Sequence, residues 1–189
     1  MTMKIVLCGD GAVGKTALRL RYMGLGFQSR YMMTIGADFA IKEVKLDEGI
    51  VDGVDMTGQA VKCQIWDLAG QTSFQSVRKL YYTGTHGALM VFDATRPDTL
   101  ENLENWVKEL IKNSGNPVPT VIIGNKIDLR EQVEISISSE QGRTFAGNLS
   151  EKYYNGFPVP FIETSAKTGS NVDIAFQSLA QLIIKAYNQ

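Results

Sequence analysis

One stretch constrains the fold before anything else: Gly9-Asp10-Gly11-Ala12-Val13-Gly14-Lys15-Thr16 follows an apolar, β-rich run at 4–8 and leads straight into a helical pattern at 14–23. A G-x-x-x-x-G-K-[ST] sequence between strand and helix wraps backbone N–H groups around an oxyanion. It also sets the positive end of the helix dipole beneath that anion. Lys15 is expected to neutralise the β- and γ-phosphates of a nucleotide as a point charge, and the Thr16 hydroxyl to ligate Mg2+. A strand, a tight Gly-rich turn and a helix in that order open an α/β fold.

The remaining chain keeps that rhythm. Strands are expected at 4–8, 39–46, 61–67, 87–93, 120–125 and 160–164, and helical patterns at 14–23, 100–112, 139–152 and 172–187. The runs at 88–92 and 120–123 are continuously apolar, as central strands buried on both faces require. In 39–46 the apolar Phe39, Ile41, Val44 and Leu46 interleave with Lys42, Glu43 and Lys45, the pattern of a half-exposed edge strand. The Gly- and Asp-rich segment 47–58 is too short for a helical crossover and suits a hairpin, which makes the second and third strands antiparallel neighbours. Its Asp47, Glu48, Asp52 and Asp55 lack the ordered ligand ladder of a calcium loop and read as solvated. The expected fold is therefore α/β: a six-stranded, mostly parallel sheet with one antiparallel edge strand, flanked by five helices, with 1–189 a single domain.

Charge and cysteine content narrow the chemistry. Nineteen Lys+Arg against twenty Asp+Glu leave a net charge of −1, so there is no overall basic field for a nucleic-acid backbone. Cys8 and Cys63 sit in apolar runs without disulfide or zinc spacing and read as buried thiols. Apolar stretches fall short of the ~20 residues that span a bilayer, and Met1-Thr2-Met3 leaves no room for a signal sequence. A soluble, cytoplasmic protein is expected.

At the carboxyl end of the fifth strand stands Asn125-Lys126-Ile127-Asp128, the edge at which open α/β sheets bind ligands. Guanine presents N1–H and a 2-amino group side by side, and the Asp128 carboxylate can accept from both; adenine has no such donor pair. Sites that hydrogen-bond a substrate group reject analogues lacking it by about 10⁴–10⁵. Lys126 can lay its methylene stem along the base, and Asn125 can tie this loop to the phosphate loop. After the sixth strand, the backbone N–H groups of Ser165, Ala166 and Lys167 are expected to meet guanine O6.

With these residues in view, the chain resembles a Ras-superfamily small GTPase, closest to the Rab branch, over nearly all of 4–187. The resemblance rests on the phosphate loop, on 31–39 (Tyr-Met-Met-Thr-Ile-Gly-Ala-Asp-Phe), on Trp66-Asp67-Leu68-Ala69-Gly70-Gln71, on Asn125-Lys126-Ile127-Asp128 and on Glu163-Thr164-Ser165-Ala166-Lys167, in the family's order. Tyr81-Tyr82 and His86-Gly87 are Rab-like details, with His86 a packing residue.

The resemblance implies a GTP/GDP switch that slowly hydrolyses GTP with Mg2+. Thr34 would bind Mg2+ through its hydroxyl and the γ-phosphate through its N–H, Asp67 would hold Mg2+ through a water, and the Gly70 N–H would contact the γ-phosphate. Loss of that phosphate would release both loops. Phe27 would pack on the guanine, Gln71 would orient the attacking water, and Gly11, Ala12, Val13, Gly14, Ala17 and Tyr31 would lie around the nucleotide. In Ras an arginine supplied by a partner adds about 10³–10⁵ to the rate. Arg19, Arg21 and Arg30 read here as surface charges, so stimulation is expected from an activating protein. An exchange factor and effectors are the other implied partners, with Phe39, Trp66 and Tyr81 as the effector-facing aromatics. A nucleotide-gated adaptor with negligible hydrolysis is the alternative.

The chain departs from the Rab pattern in places. Leu68, Thr72 and Ser73 stand where the family usually has Thr, Glu and Arg, removing charge from the second switch. The loop at 47–58 and the segment 146–160 are long for the branch. No C-a-a-X box or terminal cysteine pair is present, so no membrane anchor is expected in this chain, and association with the cytosolic face of membranes would need a lipidated tail.

Overall fold

A computed structural model describes residues 1–28, 33–46, 50–51, 54–55, 57–58 and 60–187. Its strands are β1 (Thr2–Cys8), β2 (Ala37–Lys45), β3 (Ile50–Val51), β4 (Val54–Asp55), β5 (Ala60–Leu68), β6 (Gly87–Asp93), β7 (Thr120–Asn125) and β8 (Phe161–Glu163). Six of them form one sheet in the order β2-β5-β1-β6-β7-β8. Only β2 runs antiparallel, with Phe39 opposite Trp66, and it forms the expected edge. The hairpin expected between β2 and β5 contains a two-residue ladder, β3 with β4. Asp47, Glu48 and Asp52 lie outside the described residues.

The edge position shows in the side chains. Phe39 and Ile41 are 53% and 47% exposed, whereas Val44 and Leu46 on the opposite face are buried. Every residue of β6 is buried, as its unbroken apolar run requires. Alternate residues of β1 feed two cores. Met3, Ile5 and Leu7 pack with α1 (Lys15–Tyr22) and α6 (Val172–Tyr187). Val6 and Cys8 pack with Tyr82 and with Leu103, Trp106 and Val107 from the opposite layer.

That opposite layer contains α2 (Gln75–Tyr82), α3 (Pro97–Glu101), α4 (Leu103–Ser114) and α5 (Ser139–Tyr153). The described helices thus number six. The pattern read as one helix at 100–112 begins earlier, with Pro97 preset for a first turn, and breaks at Asn102 into α3 and α4. Helix α2 does not appear among the periodic segments of the sequence, because its outward face carries Leu80, 74% exposed, while its inward face carries Arg78, 2% exposed. Ser138 and Gln141 close a reciprocal capping box at the start of α5. Cys8 and Cys63 are free, buried thiols; burial pushes Cys8 up to about 12 and Cys63 up to about 11, outside the range of a reactive thiolate.

Candidate functional site

The carboxyl ends of β1, β5, β7 and β8 meet along one edge of the sheet, where the strand order reverses on either side of β1. The cleft at that edge is lined by Gly11, Ala12, Gly14, Lys15, Thr16, Ala17, Phe27, Thr34, Gly70, Gln71 and Lys126. These residues are scattered over more than a hundred positions of sequence, and the fold brings them together. Val13 is fully buried and contributes its carbonyl instead. Tyr31 and Arg30 lie outside the described residues.

Two glycines explain how the phosphate loop closes. Gly14 has φ 100°, and a Cβ there would sit 2.3 Å from Asn125 Nδ2. At Gly70 a Cβ would sit 2.4 Å from the Asp10 carbonyl carbon and the Gly11 nitrogen, so the second-switch backbone lies directly on the phosphate loop. Helix α1 starts with no side-chain cap and no acidic residue in its first turn, which leaves its N–H groups and dipole for an anion.

Lys15 is 6% exposed, and its Nζ donates to the Gly9 carbonyl at 2.6 Å and the Asp10 carbonyl at 2.8 Å. Burial pushes its ammonium down to about 8, although Asp67, Cys8 and Asp10 pull the other way. A buried ammonium beside the start of α1 is a site for an anion, whose charge would favour the protonated form.

Thr16, Thr34 and Asp67 converge beside it. Thr16 Oγ1 donates to Asp67 Oδ2 at 2.5 Å and lies 3.0 Å from Thr34 Oγ1, which reaches Asp67 Oδ2 at 3.3 Å. Asp67 is fully buried, and its Oδ1 has no hydrogen-bond partner. Burial pushes this carboxyl up, and Thr16, Lys15, Arg19 and Thr34 draw it only partly back. Two hydroxyls and an under-satisfied carboxylate are hard oxygen donors that fit Mg2+, which keeps waters and substrate phosphate oxygens in its remaining positions. Among the described residues no three His, Cys, Asp or Glu side chains gather into a cage, so such a cation would depend on the phosphates it accompanies.

At the other end, Asn125 behaves as expected and does more. Its Nδ2 donates to the Val13 carbonyl at 2.9 Å, while its Oδ1 accepts from Thr164 Oγ1 at 3.1 Å and from the Ala166 N–H at 3.2 Å. Ser165 Oγ donates to Asp128 Oδ1 at 2.5 Å, orienting the carboxylate. Of the backbone donors expected to meet guanine O6, those of Ser165 and Ala166 are engaged by the Ser170 carbonyl and by Asn125. Lys126 adopts φ 66°, and its Nζ pairs with buried Asp93 at 2.7 Å. The head group is thereby held down and the stem exposed to the cleft. Phe27 is 42% exposed and lines the cleft rather than the core.

The arginines differ from the reading as surface charges. Arg19 is 7% exposed and pairs with Asp38 at 2.5 Å, and Arg21 donates to the Ala166 carbonyl at 2.8 Å and also to that of Lys167. Both fasten loops around the cleft, and among the described residues no arginine lines it. His86 is a packing residue: Nδ1 accepts the Lys4 N–H at 2.9 Å and the ring faces Tyr187.

Several participants carry no motif. Asp10 Oδ1 accepts from Asn102 Nδ2 at 2.6 Å and Trp106 Nε1 at 2.7 Å, tying the phosphate loop to α4. Arg78 and Glu109 link α2 to the same helix. The signal for them is a polar residue at a core-facing helix position, legible only once the helices are packed.

Profile comparison matches the Ras family over residues 4–185. The Ras-related protein Rab-8B of Homo sapiens is 34% identical over 186 residues, covering 98% of this chain and 80% of the relative. The Ras-related protein SEC4 of Candida albicans is 35% identical over 183 residues, with 97% and 78% covered. The Ras-related protein RABD1 of Arabidopsis thaliana is 36% identical over 182 residues, with 96% and 79% covered.

Proposed function

Since the chain belongs to the Ras family and is a Rab-like GTPase that switches between GTP and GDP, we propose that it acts in membrane traffic through the cleft described above. The whole of 1–189 serves as one nucleotide-binding domain in this reading.

The residues divide the work along the cleft. Asp128 accepts from the guanine N1–H and 2-amino groups, while Phe27 and the Lys126 stem flank the ring. The phosphates lie in the loop formed by Gly11, Ala12, Val13 and Gly14, with Lys15 against the β- and γ-oxygens and Ala17 continuing α1 beneath them. Thr16, Thr34 and Asp67 would hold Mg2+, which would supply positive charge against the transferring phosphoryl group. Gln71 orients a water for in-line attack on the γ-phosphorus. The bond from that phosphorus to the β–γ bridging oxygen breaks, leaving GDP and inorganic phosphate. A glutamine amide is too weak a base for more than positioning, and the Cβ position of Gly11 lies 3.7 Å from Gln71 Nε2, so the amide overhangs the phosphate loop.

The observation that carries this reading is the meeting of Thr16, Thr34 and Asp67 at 2.5–3.3 Å beside buried Lys15. It supports a site that is completed by a nucleotide triphosphate and its cation. With no arginine among the described residues that line the cleft, intrinsic turnover is slow in this reading and an activating protein supplies the missing cation. Phosphate release from GTP but not ATP, dependent on Mg2+ and lost in Gln71→Leu, is the expected result; turnover of ATP or fast hydrolysis by the isolated chain overturns it.

Exchange factor, activating protein and effectors are the partner kinds of such a switch. Phe39, Trp66 and Tyr81 form the effector patch: their rings lie in series at the edge of the sheet, Phe39 stacked on Trp66 with centroids 5.0 Å apart and Tyr81 tilted against Trp66 at 5.3 Å. No described helix is long and apolar enough to cross a membrane, and association with a cytosolic membrane face would come from a lipidated segment or a partner.

A further inference from the structure

Helix α1 carries Lys15 and Thr16 at its start and, at its next-to-last residue, a half-buried arginine whose head group reaches the loop after β8. Arg21 Nε donates to the Ala166 carbonyl at 2.8 Å, and Nη2 donates to the Lys167 carbonyl. A cation near the C-terminus of a helix complements the helix dipole wherever its head lies. That does not send two donors of one guanidinium to consecutive carbonyls of a loop 145 residues away. The stem is fitted as well: a Cβ at Gly169, where φ is 90°, would stand 3.7 Å from Arg21 Cδ, so the turn lies against the side chain. Within that turn the Gly169 N–H donates to the Ser165 carbonyl at 2.8 Å and the Ser165 N–H to the Ser170 carbonyl at 3.1 Å, closing the loop on itself.

The bond to Lys167 leads on to the base site. The Lys167 carbonyl and the Thr168 N–H belong to one planar, trans peptide unit and point in opposite directions. That N–H donates to Ser165 Oγ at 3.1 Å, and Ser165 Oγ donates to Asp128 Oδ1 at 2.5 Å. Guanidinium, peptide unit, hydroxyl and carboxylate thus form one chain of donors running in a single direction, in which each bond polarises the next. Both of its ends are charge-assisted, the stronger kind of hydrogen bond. The Ala166 carbonyl is held in the same way, and the N–H of its peptide unit is that of Lys167, one of the donors expected to meet guanine O6.

We propose that Arg21 is a positioning residue for base recognition: through the peptide unit 167–168 and Ser165 it orients the Asp128 carboxylate, and so sets how strongly the cleft prefers a base with a 2-amino group. It acts without touching the nucleotide, since it does not line the cleft. The proposal rests on the reading of Asp128 as the acceptor of the guanine N1–H and 2-amino groups. Arg19, two residues earlier, sends its head group to Asp38 instead, so the two arginines of α1 fasten different loops.

The test is competition binding by the full chain in excess Mg2+, comparing GDP with inosine diphosphate, which lacks only the 2-amino group. The ratio of the two affinities is the readout, because a merely structural role for Arg21 would weaken both ligands alike. Arg21→Met keeps the stem and removes the donors, and the preference for GDP falls about tenfold, within the range over which residues of one hydrogen-bond network couple. Arg21→Lys, a point charge without the fork that serves two carbonyls, keeps an intermediate preference. It also carries the test if Arg21→Met does not fold, a full wild-type preference there overturning the proposal. Ser165→Ala cuts the same chain from the other side and lowers the preference by a similar factor, and Arg21→Met/Ser165→Ala lowers it no further than Ser165→Ala alone. A wild-type preference in Arg21→Met, an equal loss of affinity for both nucleotides, or additive effects in the double variant overturns the proposal. Asp128→Asn is run alongside. If it leaves the preference at the wild-type value, the reading of Asp128 falls and the proposal with it; if it abolishes the preference while Arg21→Met retains it, only the role of Arg21 is lost.

Discussion

The two loops that flank the cleft are built to opposite plans. In the first, Met33 and Ile35 are 52% and 75% exposed. Its fastening to the body runs through the Thr34 hydroxyl, which points at Thr16 and Asp67, and through the Arg19–Asp38 pair just beyond. In the second, the buried guanidinium of Arg78 donates to the carbonyls of Ala69 and Gln71, and the Glu109 carboxylate accepts from three residues, Gln75, Arg78 and Tyr82. The first loop is therefore anchored in part by the groups proposed to hold the cation, and the second by a buried ion pair. The two are also joined directly, the Ala69 N–H donating to the Gly36 carbonyl at 2.9 Å, so a change at one loop reaches the other.

Four experiments probe that contrast. The largest effect is expected for Gly11→Val, whose added methyls enter the space in front of Gln71 while the backbone is undisturbed. GTP binding persists and partner-stimulated turnover falls by about 10³ or more, the scale of arginine stimulation; stimulated turnover at the wild-type rate would show that Gly11 does not face the reacting phosphate. Next comes Thr34→Ala, which should cost about 10²–10³ in hydrolysis, the range for one lost transition-state contact. Titration calorimetry should find the preference for GTP over GDP reduced, and amide exchange should change most at 33–38. Tyr81→Ala removes one half-buried ring of the aromatic series and should weaken GTP-selective effector capture about tenfold with nucleotide affinity intact; loss of nucleotide binding would instead make the ring structural.

The smallest effect is a pH dependence confined to the second loop. Burial alone would raise the Glu109 carboxyl, but hydrogen bonds from Arg78 and Tyr82 outweigh it and hold the group below the usual carboxylate range. A carboxylate with a depressed folded-state pKa contributes stability above its unfolded value and loses it as pH falls through the folded one. Acid unfolding followed at α2 should therefore be steeper in the wild type than in Glu109→Gln, and equal slopes would remove the carboxylate from the account.

Most of the sheet was legible in the sequence because buried parallel strands write themselves as apolar runs. β6 and β7 have the expected limits, and the interleaved charges of 39–46 announced an edge. The site residues with motifs were legible because phosphate loops and base loops need fixed residue types at fixed spacing. Helix α2 was hidden by an inverted pattern: it turns Leu80 to solvent and Arg78 inward, so apolar periodicity points to the wrong face. The Arg78–Glu109 pair was hidden for a related reason, since thirty-one residues separate two charges whose complementarity exists only after α2 and α4 pack. The burial of Arg19 and the docking of half-buried Arg21 followed the same rule, with carboxylate and carbonyl partners supplied from distant loops.

The carboxamide of Asn125 bonds the phosphate loop on one side and the loop after β8 on the other. It sets the spacing between the place for a base and the place for phosphates, which makes the cleft a two-toothed chelator. A nucleotide that engages both teeth presents the second at high effective concentration once the first is bound, so its affinity exceeds that of either half by orders of magnitude. A protein that turned this one amide aside would release a tightly held ligand without touching the ligand at all.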